Sequence, residues 1–111
     1  MDQIEDFADV YYHGTRAAVL WKQNAMYHFQ YIEDFLESEN AAAIAYTLPL
    51  RHTPYSSHRL FPFFEGLVAE GWLLAGQAQA QRIDKADTFR LLIENGSDLV
   101  GAVTVLKRAT R

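Results

Sequence analysis

Leu60-Phe61-Pro62-Phe63-Phe64-Glu65-Gly66-Leu67-Val68-Ala69-Glu70-Gly71-Trp72-Leu73-Leu74 is the densest apolar run in the chain, and it holds one of only two tryptophans. A domain of this size buries one face of such a helix, hardly all sides of it. Pro62 is tolerable only near a first helical turn, and Ser56 or Ser57 is placed to cap a helix starting near His58 to Phe61. The expected inner face is Phe64 with Leu60, Leu67 and Val68. Gly66 and Gly71, with Glu65 and Glu70, interrupt the run. Gly71 immediately precedes Trp72, so the chain can turn sharply where its largest side chain begins. The reading is a helix that packs inward, followed by an elbow that presents an aromatic outward. The alternative is a core tryptophan pinning two helices together.

Upstream, the pattern changes to short strands. Phe7–Tyr12 meets Thr15–Lys22 across His13-Gly14, a two-residue hairpin signal in which Gly14 takes positive φ. Gln23-Asn24 turns the chain into Met26–Tyr31, where Tyr27, Phe29 and Tyr31 alternate with Met26, His28 and Gln30. Residues 33–40 are polar around Phe35 and Leu36 and suit a helical turn. Ala43–Leu48 reads as a fourth strand with Ile44, Tyr46 and Leu48 on one face, ended by Pro49. Residues 50–57 read as the longest loop.

Downstream of the elbow, Trp72–Ile83 is rich in Ala and Gln and reads as a second helix. Asp87 is placed to cap a third, Thr88–Asn95, with Phe89, Leu92 and Ile93 as its stripe and Gly96 at C′. Leu99–Leu106 is apolar on both faces, the pattern of a well-covered closing strand. The expected fold is α+β: an antiparallel meander of about four strands (7–48), two to three helices (58–95) and a closing strand (99–106), in one domain spanning 1–111.

Composition limits the chemistry. Half of the 111 residues are apolar and 14% are aromatic, so a real core forms without metal or disulfide and disorder is disfavoured. The absence of cysteine removes disulfides, thiolate nucleophiles and cysteine metal sites. The acidic start Met1-Asp2-Gln3-Ile4-Glu5-Asp6 lacks the regions of a signal peptide, and no run approaches the ~20 apolar residues of a membrane span. A cytoplasmic location without membrane contact is expected. With a net charge of −4 and only a short cluster at Lys107, Arg108 and Arg111, direct binding to nucleic acid is disfavoured.

The sequence offers no credible catalytic site. Gly66, Gly71 and Gly76 lie in a helical region and not after a strand, so they form no phosphate loop. His13, His28, His52 and His58 make no helical pair; His52 and His58 flank one loop but suit exposed positions better than a shared metal. His28 belongs on a solvent face. Ser56-Ser57 lacks a positioned base or nucleophile elbow, and capping accounts for it. Neither Glu65 with Glu70 nor the Asp84 to Asp87 cluster points to hydrolysis. No catalytic residue, metal or cofactor is expected.

Three stretches together resemble the N-terminal subdomain of the HipA-type toxin kinases. They are Tyr46-Thr-Leu-Pro-Leu50; Phe63-Phe-Glu-Gly-Leu-Val-Ala-Glu-Gly-Trp-Leu-Leu74; and the run from Phe89 to Val103, with Gly96, Asp98, Gly101 and Ala102 in the family's places. Order and spacing agree from about Val10 to Leu106. Ala69 stands where many relatives carry proline, which should loosen the elbow. Neither a phosphate-binding loop nor a catalytic Asp is found before Arg111, so kinase activity is not carried over.

The resemblance is closest to the free-standing small-subunit (HipS) family of three-component HipBST toxin–antitoxin systems. It implies an antitoxin-like, non-catalytic protein that binds and restrains a HipT/HipA-type serine/threonine kinase. A HipB-like helix-turn-helix protein would complete the complex. The alternative is an accessory subunit that completes the kinase or recruits its substrate. A small hydrolase or metal enzyme that merely mimics the pattern is a third reading. The expected partner-binding residues are Trp72 as anchor, Glu70, Gly71 and Leu73 shaping the elbow, and Phe63 beside it.

Overall fold

The computed structural model describes residues 4–39, 41–68, 88–95 and 102–108. Strands β1 (Ile4–Tyr12), β2 (Thr15–Gln23) and β3 (Met26–Tyr31) are followed by helix α1 (Glu33–Leu36), strand β4 (Tyr55–Ser57), helices α2 (Pro62–Val68) and α3 (Thr88–Asn95), and strand β5 (Val103–Arg108). The five strands form one antiparallel sheet in the order β4-β3-β2-β1-β5. The α+β class, the leading meander and the closing strand are as the sequence predicts.

Both hairpin turns use left-handed backbone, which matches the right-handed twist of the strands they join. His13 and Gly14 have φ of 51° and 81°. The second turn is built by Asn24 (φ 54°) and Ala25 (φ 62°), one residue later than Gln23-Asn24. In β2 an extra residue, Ala17, sits between the Val10–Ala18 and Tyr11–Arg16 pairs. This bulge turns both Ala17 and Ala18 inward, each fully buried, and the Ala17 carbonyl accepts the Ile32 N–H at 3.0 Å.

Period-two alternation then assigns the faces. Ala8, Val10, Leu20, Phe29 and Tyr31 point into the core, where α1, α2 and α3 supply Phe35, Phe64 and Val68, and Phe89, Leu91, Leu92 and Ile93. Phe29 is the hub, with ring centroids 5.0 Å from Tyr31, 5.7 Å from Phe64 and 6.2 Å from both Phe61 and Tyr55. Each buried large side chain of this kind contributes about 1.5–3 kcal/mol.

Three expectations are corrected. Ala43–Leu48 is not a strand but a turn-containing segment: Ile44 and Leu48 are buried, while Tyr46 between them is fully exposed. Alternation alone cannot separate a strand from a turn that buries two apolar residues four apart. The fourth strand is instead Tyr55–Ser57, inside the stretch read as loop, and it pairs with Tyr27–Phe29. Finally, β5 is a sheet edge that buries Val103 and Val105 but leaves Leu106 42% exposed, so it is covered on one face only.

The expected helix Trp72–Ile83 lies outside the described residues, as do Gly96, Asp98 and Gly101.

Candidate functional site

Helix α2 begins with Pro62 in its first turn, where a missing N–H costs nothing. The Phe61 carbonyl accepts the N–H groups of Phe64 and Glu65 at 2.9 and 3.1 Å. Ser57 is not the cap: its Oγ accepts the Arg59 N–H at 3.1 Å in a local turn before the helix. Ser56 Oγ instead bonds His28 Nδ1 at 2.9 Å across β3 and β4, which also places His28 on the solvent face as the sequence predicts.

The inner face of α2 is Phe64 and Val68, with Leu60 and Phe61 leading in, all buried. Phe61 therefore belongs to the core. Leu67 is half-buried against the same cluster. Facing outward are Pro62 and Gly66, both exposed. A Cβ added at Gly66 would meet no atom within 4 Å.

Of the expected partner-binding residues, Phe63 is described: it is half-buried, with its ring 5.2 Å from Phe64 in an edge-to-face arrangement. Glu70, Gly71, Trp72 and Leu73 lie outside the described residues.

The opposite face of the sheet carries a second aromatic grouping. Phe7, Trp21 and His28 stand side by side across β1, β2 and β3. Trp21 stacks on His28 at 5.2 Å and on Phe7 at 6.0 Å. On the same face Asp9, 13% exposed, accepts hydrogen bonds from Arg16 Nε at 2.9 Å and Arg108 Nε at 3.0 Å. The Arg108 guanidinium also lies 5.1 Å from the Phe7 ring centroid. This cluster ties β1 to both of its neighbours, which is a structural task.

Among the described residues, polar chemistry elsewhere is sparse. A cavity of about 420 Å³ at the β1–β2 turn is lined by Tyr12, His13, Thr15, Phe35 and Ser38, with no carboxylate among them. His52 and His58 do not converge on a metal: His52 Nδ1 lies 3.1 Å from Glu33 Oε2, an exposed pair. Among the described residues no group of three or more His, Cys, Asp or Glu side chains could hold a metal ion. Burial raises the Tyr31 phenol above its ordinary value of 10.0, Tyr55 and Tyr12 add to the rise, and the Ile44 N–H bond opposes it.

A family model of the HipA N-terminal domain matches residues 8–106, nearly the whole chain. The chain belongs to the HipA N-terminal domain family. The solved N-terminal domain of HipA toxin superposes with a TM-score of 0.75 at 29% identity, each chain covered in full. An uncharacterized protein of Haemophilus influenzae is 35% identical over 96 residues, 86% of this chain and 87% of that protein. The putative kinase Y4mE of Sinorhizobium fredii is 37% identical over 78 residues, 70% of this chain but only 19% of that protein. Similarity is thus confined to the HipA N-terminal domain and does not extend over the greater part of the putative kinase. Among the described residues no helix is long and apolar enough to cross a membrane.

Proposed function

We propose that this chain is an antitoxin-like, non-catalytic protein of the cytoplasm that binds a HipT/HipA-type serine/threonine kinase and restrains it. One observation carries the reading. The same domain makes up most of the Haemophilus influenzae relative and about a fifth of the putative kinase Y4mE. A domain that also occurs joined to a kinase has a surface shaped to lie against one. A HipB-like helix-turn-helix protein completes the complex and supplies the DNA contact that a chain of net charge −4 lacks.

Contact centres on the elbow after α2. The inner face of α2, Phe64 and Val68, is buried in the core, and Glu70, Gly71, Trp72 and Leu73 follow that helix along the chain. Trp72 is the side chain proposed to insert into the kinase, with Phe63 as a further contact. Trp72→Ala should leave melting almost unchanged and weaken kinase binding by about 2–4 kcal/mol, or about 30- to 1000-fold. The control is Phe64→Ala: Phe64 is fully buried, and its loss should cost about 3–5 kcal/mol of folding stability. Calorimetric titration of a HipT/HipA-type kinase with each variant measures binding, and thermal unfolding of each variant measures stability. A Trp72→Ala protein that melts far below wild type, or that binds and neutralises the kinase as before, refutes the elbow as the inhibitory device.

The Y4mE match also favours a second reading, in which the subunit completes the kinase and leaves it active. Phosphorylation by the kinase with and without this chain separates the two: a fall in rate supports restraint, a rise supports completion.

A further inference from the structure

We infer that the loop 41–54 is a second, pre-formed contact surface for the same kinase partner, with Tyr46 as its anchoring side chain. The inference rests on the kinase-binding reading but not on the Trp72 elbow.

The loop has no helix or strand, yet it is held from many sides. The Tyr31 hydroxyl accepts the Ile44 N–H at 3.1 Å and donates to the Leu48 carbonyl. Leu48 N–H bonds the Ala45 carbonyl at 3.1 Å, closing the turn that carries Tyr46. The Tyr55 hydroxyl donates to the Pro49 carbonyl at 2.6 Å, and Gln30 Nε2 donates to the His52 carbonyl at 3.1 Å. Arg51 donates to the carbonyls of Thr53 and Pro54 while lying 3.6 Å over the Tyr55 ring.

On this fixed frame the Tyr46 side chain is 100% exposed, between Ile44 at 7% and Leu48 at 3%. Leu50, at 37%, is the other exposed large apolar residue of this loop. A ring wholly in water does nothing for its own domain. On a rigid loop it is an interface anchor that loses little entropy on binding, and tyrosine is enriched among such anchors.

Charge indicates the occupant. From residue 41 to residue 64 the sequence holds no Asp or Glu, while Arg51 and Arg59 fall within it, in a chain whose net charge is −4. Both arginines are exposed. Apart from Glu33, whose carboxylate lies 3.1 Å from His52, the charges of this surface are positive, and it suits an acidic face with a socket for an aromatic ring. In Y4mE the matching domain is 19% of the protein, so the rest of a kinase is the neighbour such a surface faces.

The test is calorimetric titration of a HipT/HipA-type kinase from the same organism, in an inactivated form, with wild type and variants. Tyr46→Ala should weaken binding by roughly tenfold or more, with Tyr46→Phe close to wild type. Arg59→Glu should weaken binding and flatten its salt dependence. All three should melt as wild type does, because the altered side chains are exposed. If Tyr46→Ala binds within about twofold of wild type while Trp72→Ala does not bind, the loop is outside the interface and the kinase reading stands. If wild type itself does not bind the kinase, both readings fall. If wild type self-associates and Tyr46→Ala is monomeric, the loop serves a second copy and the inference is overturned.

Discussion

Replacing Tyr31 by Phe removes one oxygen atom and isolates how the 41–54 loop is held. The ring would keep its stack on Phe35, with centroids 6.1 Å apart, and its edge contact with Phe29. What disappears is the donor to the Leu48 carbonyl and the acceptor for the Ile44 N–H, both buried bonds. A buried group left without a partner costs about 1–3 kcal/mol, and here two are left. Allowing for water reaching part of the freed backbone, the expected loss is about 2–4 kcal/mol, a large share of the ~5–15 kcal/mol a domain possesses.

An unfolding entropy of ~2.1 cal/mol/K per residue gives about 0.23 kcal/mol/K for 111 residues. The melting temperature should therefore fall by about 9–17 °C. Tyr55→Phe, which loses an exposed bond to Pro49, should lose less than about 1 kcal/mol. The assay is thermal and urea unfolding followed by circular dichroism.

Alkaline pH provides a second arm. The phenol's folded pKa is raised above its ordinary 10.0, chiefly by burial, so the folded state favours the protonated form. That stability is fully present below pH 10 and is lost as pH rises from there through the folded pKa. Wild type should weaken above pH 10 more steeply than Tyr31→Phe. A Tyr31→Phe protein within about 0.5 kcal/mol of wild type at neutral pH, with an unchanged alkaline limb, refutes the hydroxyl as the pin of the loop.

Two further outcomes follow from the backbone and the sheet. Asp9→Asn keeps the shape but removes the charge that Arg16 and Arg108 share, and should cost about 1 kcal/mol, less at high salt, with faster amide exchange in β5. Two glycine exchanges should both stabilise, for opposite reasons. Gly66→Ala puts a methyl into open space on a helix, worth about 0.5–1 kcal/mol, while Ala25→Gly relieves a side chain held at φ 62°, worth about 1 kcal/mol. Urea unfolding midpoints check all three variants, and a fall in either glycine exchange contradicts the local geometry.

What the sequence determined by itself is what depends on neighbours along the chain. Alternation in Met26–Tyr31, the His13-Gly14 turn, and the 3.6-residue stripe of Thr88–Asn95 each reflect local geometry, and each element lies where its pattern puts it. The order of the three motifs was enough to indicate the family. The outward placement of Tyr46 was not legible. It sits between two apolar residues in a pattern shared by strands and turns, and only the hydrogen bonds from Tyr31, a residue of another element, decide which one forms. Tyr55–Ser57 is a strand for the same kind of reason: three polar-flanked residues have no strand signal of their own and extend because β3 offers them a ladder. The arrangement around Asp9 likewise required tertiary structure, since Arg108 lies 99 residues away in sequence and reaches Asp9 only because β5 closes on β1. Periodicity is written along the chain, whereas contacts between distant segments are fixed by which strands pair, and that is settled only when the whole sheet forms.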